Sequence, residues 1–181
     1  MRKRVFNRDA FEHFLQQQEK QELVEQLGDL FERFEVVSDY YKMALRSGRR
    51  EVLEKYKDKI EDEFIIEDDE GNLLEPDTDK ISIILNEFEM LNPKTNHLVE
   101  IICFSIELVG DFEEETDEIL DDNFYVFFEE LLAELLQKLE VQNQLKKFRI
   151  YICEIILSIA DKSSFREELE NIFHDFYDEI K

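Results

Sequence analysis

Glycine and proline are scarce in this sequence, with four glycines and two prolines among 181 residues. An all-β fold needs many tight turns, and those turns use glycine and proline, so the scarcity argues against that fold class. A glycine-rich phosphate-binding loop is excluded as well, because the four glycines are isolated from one another. Long helices joined by short connections need few such residues, and the composition favours them.

Sequence motifs of common catalytic and metal sites are also missing. Cys103 and Cys153 lie fifty residues apart, so no Cys-x-x-Cys pair exists for structural zinc or thioredoxin-like redox chemistry. Neither Gly-x-Ser-x-Gly nor His-Glu-x-x-His occurs. Both cysteines lie in apolar runs, which predicts buried, reduced thiols. We predict no cofactor and no metal, and we consider an enzyme the less favoured class.

The sequence has no apolar run long enough to cross a bilayer. Its two most apolar windows, residues 98–109 and 148–160, are short and contain charged side chains. Three of the first four residues are basic, but no apolar stretch follows them, so we identify no secretory signal. We therefore predict a cytoplasmic protein that does not bind membranes.

Bases are outnumbered by acids, 22 against 46, which gives a formal net charge of -24. The excess is concentrated in residues 61–122, which hold 22 acids and 2 bases. Such a charge opposes binding to nucleic acid and to anionic membranes. It favours a basic protein as partner, although solubility alone is the simpler interpretation.

Helical periodicity covers most of the chain. Residues 22–45 carry apolar side chains at alternating spacings of four and three residues, which predicts one amphipathic helix. A shorter helix capped by Asn7 precedes it. Further helices are predicted over residues 50–64, 77–92, 95–109, 123–142, 144–161 and from 163 onward. The predicted fold is all-α, a single-domain bundle or short stack of helical hairpins over residues 1–181, with seven to eight helices and two acidic loops.

Two acidic segments interrupt this periodicity. Residues 65–77 contain a turn signal, which predicts a small β-hairpin or, as we favour, a mobile acidic loop. Residues 110–122 form the second predicted loop. Neither fits an EF-hand, because placing Gly71 sixth puts Ile66 at the first ligand position, and the second loop has no internal glycine. The candidate partner-binding residues are Glu67, Asp68, Asp69, Glu70, Asp111, Glu113, Glu114, Glu115, Asp117 and Glu118.

Two histidine–glutamate pairs have the spacing of metal ligands on a helix. His97 lies three residues before Glu100, and Glu170 lies four residues before His174. Di-iron bundles use Glu-x-x-His twice with two further glutamates, and this chain has neither copy in that order. A metal site would require all four side chains to converge.

The order of several landmarks resembles a known family. The landmarks are the apolar series from Leu23 to Val37, Asp39-Tyr40-Tyr41, Leu45, Glu54-Lys55-Tyr56, Asn86-Glu87-Phe88 and Asn123-Phe124-Tyr125. Together they resemble an uncharacterised bacterial family of small helical proteins, a domain of unknown function. The resemblance implies a bacterial, cytoplasmic origin. It implies no activity, cofactor or site residue.

These observations favour a non-enzymatic protein–protein interaction module that engages a basic partner through an acidic surface. Such complementarity raises association rate and selectivity, and it weakens with salt. One alternative is a nucleic-acid-mimicking inhibitor in phage defence or counter-defence. Another is a metal-binding helical bundle or an enzyme of unknown reaction. A homo-oligomer formed through an exposed aromatic stripe is a further possibility.

Overall fold

The structure, a computed structural model, describes residues 7–45, 48–116, 120–160 and 164–177. It confirms the all-α class, and these residues contain nine helices, where we expected seven or eight. The helices are α1 (Arg8–Gln16), α2 (Lys20–Arg33), α3 (Glu35–Ala44), α4 (Arg49–Phe64), α5 (Thr78–Met90), α6 (Thr95–Glu115), α7 (Asp122–Val141), α8 (Leu145–Ser158) and α9 (Phe165–Tyr177). The contacts within the chain define two compact units, unit 1 (Met1–Arg49) and unit 2 (Arg50–Lys181). A compact unit is not in itself a domain, so the single domain stays a prediction.

The described residues of unit 1 form three short amphipathic helices. Asn7 caps α1 as predicted, since its side-chain oxygen accepts a hydrogen bond from the Ala10 N–H at 3.0 Å. The predicted single helix over residues 22–45 is wrong, because Phe34 adopts an extended conformation (φ -123°, ψ 111°) and separates α2 from α3. The apolar spacing continues through this one-residue break, so periodicity alone does not reveal it.

The core of unit 2 is built around α6, which has buried residues on most of its sides, as its apolar composition predicts. Phe64 at the end of α4 contacts the rings of Phe112, Phe124 and Phe128, with centroids 6.1–6.5 Å apart. Tilted and edge-on aromatic pairs of this kind contribute about 0.5–1.5 kcal/mol each beyond their buried area. This aromatic cluster joins α4, α6 and α7.

Asparagine ends two helices of unit 2, as predicted. Asn92 follows α5 with φ 55°, and Asn143 follows α7 with φ 54°, a left-handed conformation that asparagine tolerates better than most residues. After α7, the N–H of Gln144 donates to the Leu139 carbonyl at 2.8 Å and the N–H of Asn143 donates to the Glu140 carbonyl at 2.8 Å. These two bonds form a Schellman motif, which satisfies carbonyls that the helix end leaves open.

Both predicted acidic loops have more regular structure than we expected. The first contains an antiparallel bridge between Glu67 and Leu73, so its backbone follows the small hairpin that we predicted as the alternative to a loop. The second is shorter than predicted, because α6 continues through Gly110 to Glu115. A Cβ atom at Gly110 would lie 3.2 Å from Cγ1 of Ile159, so this glycine allows close packing and does not end the helix.

Candidate functional site

One of the four acids of the hairpin, Asp68, accepts hydrogen bonds from other residues of the hairpin. Oδ1 of Asp68 accepts hydrogen bonds from the N–H groups of Glu70 (2.8 Å) and Asn72 (2.9 Å), and Oδ2 accepts from the Asn72 amide at 3.0 Å. These bonds, chiefly those from Asn72, lower the pKa of Asp68. Glu67, Asp69 and Glu70 are exposed. Three of the four predicted residues are therefore accessible to a partner, and Asp68 stabilises the turn.

Glu113, one of the predicted partner-binding residues, is buried. Its side chain is only 5% exposed, and Oε1 accepts a 2.6 Å hydrogen bond from the Tyr125 hydroxyl of α7. Sequence spacing places Glu113 among surface acids, but the packing of α6 against α7 buries it. Asp117 and Glu118, two further predicted site residues, lie outside the described residues.

The other predicted acids of this segment, Asp111, Glu114 and Glu115, are exposed near the C-terminal end of α6. A helix C-terminus carries a partial negative charge, and a carboxylate there costs about 0.3–1 kcal/mol. The last turn of α6 contains no basic residue that would offset this cost. A cationic group at this end would meet both the carboxylates and the negative end of the helix dipole.

A groove between α5, α6 and α7 was missed by the sequence analysis. Its volume is about 320 Å³. Its apolar lining residues are buried or half-buried and therefore form the floor; they are Leu85, Leu98, Ile102, Phe127 and Leu131. The rim is polar and is formed by Ser82, Asn86, Glu89, Glu130 and Glu134. Three separate parts of the sequence meet here, so no single window of residues signals the groove.

The rim of the groove carries excess negative charge. Glu130 and Glu134 are four residues apart on α7, and like charges at this spacing destabilise a helix by about 0.2–0.5 kcal/mol. Glu89 of α5 forms an ion pair with Lys138 of α7. Among the residues that the structure describes, no ion pair reaches Glu130 or Glu134. An apolar floor beneath a carboxylate rim suits a ligand that has an apolar body and cationic ends.

The histidine–glutamate pairs do not form a metal site in the described ranges. Burial by itself would raise the pKa of Glu100, but hydrogen bonds from Lys57 (2.8 Å) and Arg50 (2.6 Å) outweigh this effect and lower the pKa. Glu170 accepts a 2.8 Å hydrogen bond from Arg166. Nowhere in residues 7–45, 48–116, 120–160 and 164–177 do three potential ligands from His, Cys, Asp or Glu come together.

The two cysteines differ in their surroundings. Cys103 is buried as predicted, and burial, with a smaller effect of the nearby Glu107 carboxylate, raises the pKa of its thiol to about 12. A thiol with so high a pKa is a poor nucleophile at neutral pH. Cys153 is only half-buried, so the predicted burial is wrong for this residue.

Comparisons with known proteins assign no function to this chain. No protein-family model, no curated protein and no solved structure matches it. The resemblance to an uncharacterised bacterial family therefore stays a prediction. Within the described part of the chain, no helix has the length and apolar character that crossing a membrane requires.

Proposed function

We propose that this protein is a non-enzymatic protein–protein interaction module in which unit 2 binds a basic, amphipathic segment of a partner. The observation that carries the proposal is the composition of the groove, an apolar floor beneath a rim that holds Glu89, Glu130 and Glu134. We also propose that the protein is of bacterial origin and is located in the cytoplasm.

The floor and the rim of the groove have different roles in binding. An apolar side chain of the partner, such as leucine or phenylalanine, lies on the floor, and its full burial contributes about 1.5–3 kcal/mol. Lysine or arginine side chains on either side of it pair with Glu130 and Glu134. The carboxylates select against acidic segments, since a like charge at this rim would be desolvated without a counterion.

The negative electrostatic field of unit 2 favours association with a basic partner. Residues 50–181 hold 37 acids and 13 bases, whereas residues 1–49 hold nine of each, so unit 2 carries the entire net charge. A field of one sign steers oppositely charged partners and raises the association rate, and the effect weakens as salt increases. The exposed acids of the hairpin and of the α6 end contribute to this field.

A designed peptide tests the proposal. The probe is a 14-residue helical peptide of lysine and leucine, titrated into the ¹⁵N-labelled full-length protein. We expect amide shifts concentrated in the groove segments, residues 82–89, 98–102 and 127–134. We also expect Glu130→Gln/Glu134→Gln to weaken binding about tenfold, since two charge pairs are lost.

The matched control is Glu114→Gln/Glu115→Gln, which also removes two negative charges. These residues belong to the acidic surface that the sequence predicts to bind the partner. This variant should weaken binding less than threefold, through the reduced field alone. A second probe with serine in place of leucine should bind about tenfold more weakly, because it leaves the floor uncovered. Equal losses in the two variants, or shifts that avoid the groove, would overturn the proposal.

A further inference from the structure

Unit 1 carries apolar surface that its own helices leave uncovered. The helices α1 and α2 contain no buried residue. Ten large apolar side chains of unit 1 are each 39% to 61% exposed, namely Phe11, Phe14, Val24, Leu27, Leu30, Phe31, Phe34, Val36, Tyr40 and Leu45. Short helices are only marginally stable in water, and most of their stability in proteins comes from packing an apolar face. These helices therefore need a partner surface.

The apolar face of α2 is uncharged along most of its length. With 3.6 residues per turn, its apolar side chains fall on one side, roughly a third of the circumference. They are Leu23, Val24, Leu27, Leu30 and Phe31. The four acids of the helix, Glu22, Glu25, Asp29 and Glu32, fall on the opposite side. Gln26 and Gly28 flank the face, and Lys20 is the one charge on it, at its N-terminal end.

We infer that this face is a self-association surface, on which α2 of one copy packs against α2 of a second copy across a twofold axis. The spacing of Leu23, Leu27 and Leu30 is that of helix pairs whose side chains interdigitate, and an isologous pair places the same residues on both sides. This face has no charge that would complement a strongly acidic or basic partner. A second copy of the chain presents an equally apolar face to it.

Area and charge agree with a second copy as the occupant. At about 170 Å² for a fully exposed large side chain, Val24, Leu27, Leu30 and Phe31 of the α2 face present on the order of 300 Å². The exposed apolar side chains of α1, of α3 and at both ends of α3 bring unit 1 to on the order of 800 Å², so a second copy that also covers them reaches what each partner contributes to a standard interface. Unit 1 contains nine acids and nine bases, so this part of the chain adds no net repulsion between two copies, although the whole chain has a charge of -24. This inference uses no residue of the groove and goes beyond the proposed function.

The first test is the mass of the full-length protein in solution. At about 100 µM, where an interface with a Kd below about 10 µM is mostly occupied, light scattering should give twice the chain mass of 21.9 kDa. Leu27→Glu/Phe31→Glu should give a monomer. The control Met90→Glu/Val141→Glu adds the same charge at residues of unit 2 that are 80% and 79% exposed, and it should stay a dimer. A monomeric wild-type protein, or a dimeric Leu27→Glu/Phe31→Glu variant, would overturn the inference.

The second test locates the interface without destabilising it. In a Cys153→Ser background, Leu27→Cys should form a disulfide-linked dimer under mild oxidation, because a twofold axis brings the two copies of this position together. Glu25→Cys lies on the opposite side of the same helix, and it should form at least tenfold less of the disulfide-linked dimer. Equal cross-linking at the two positions would show that α2 is not the interface.

Discussion

The hydroxyl of Tyr125 donates a 2.6 Å hydrogen bond to Glu113, which is buried between α6 and α7 although it lies in one of the most acidic stretches of the chain. Tyr125→Phe removes this donor and leaves a buried acceptor less satisfied, so we expect a loss of about 1–3 kcal/mol in the free energy of unfolding. Urea denaturation measures it. Binding of the lysine–leucine peptide should be unchanged.

The control for this substitution is Tyr151→Phe, which removes a hydroxyl from a residue that is 39% exposed. Its effect should stay within about 0.5 kcal/mol, as for most partly exposed substitutions. If Tyr125→Phe were equally mild, the hydrogen bond to Glu113 would contribute nothing measurable to folding.

The two ends of a helix should respond oppositely to the loss of a carboxylate. Glu115→Gln removes an acid from the C-terminal end of α6, and Glu167→Gln removes one from the first turn of α9. We expect the first to stabilise the protein and the second to destabilise it, each by about 0.3–1 kcal/mol. Thermal unfolding of both variants measures this. Because each removes one negative charge from an acidic protein, stabilisation in both variants would mean that relief of general repulsion outweighs the helix dipole, and destabilisation in both would contradict the expected effect at the end of α6.

Glu100 should make stability depend on acid pH. Its pKa is lowered in the folded protein, because the hydrogen bonds from Lys57 and Arg50 outweigh the opposing effect of burial. A lowered folded pKa stabilises the fold above the unfolded value of about 4.3, and this stability is lost as pH falls through the folded pKa. At about pH 7, Glu100→Gln should unfold with about 1 kcal/mol less free energy than wild type, since Arg50 is largely exposed.

Urea titrations of Glu100→Gln and wild type at several pH values provide the check. The two stabilities should approach each other as pH falls below the folded pKa, where the wild-type carboxyl is protonated. A difference that stays constant down to about pH 2 would mean that the charge of Glu100 contributes nothing and that the substitution acts through packing.

Asp68 should titrate below the ordinary range of an aspartate, since Asn72 and, to a smaller extent, Glu70 donate hydrogen bonds to its carboxylate. The amide signals of Glu70 and Asn72 should therefore shift with a midpoint below about pH 3.9 in NMR spectra. Protonation weakens both bonds, so the turn loses this stabilisation as pH falls through the lowered pKa. Asp68→Ala should remove this transition from the signals of both amides. A midpoint at the ordinary aspartate value would show that the hydrogen bonds of the turn do not lower the pKa of Asp68.

Features set by neighbouring residues could be predicted from the sequence. Asn7 caps α1, and Asn92 and Asn143 end two helices, because capping and left-handed conformations depend on the residue itself and on the backbone within one turn. The all-α class follows from the periodicity and from the scarcity of glycine and proline.

Features set by contacts between distant segments could not be predicted in this way. Gly110 has the appearance of a helix end, but it lies inside α6, where Ile159 leaves little space for a Cβ atom. The break at Phe34 leaves the apolar spacing intact, so it has no signal in the periodicity. The groove consists of residues from three helices, and the pattern of no single helix signals it.

The helical class, the excess of acids and the absence of common catalytic motifs depend on composition and local spacing, so they could be read from the sequence without the structure. Which acids are exposed depends on the tertiary structure. Glu113 and Glu114 are adjacent in the chain, yet packing against α7 buries the first and leaves the second exposed. Solvent exposure is a property of packed surfaces, and residues far apart in the sequence supply those surfaces.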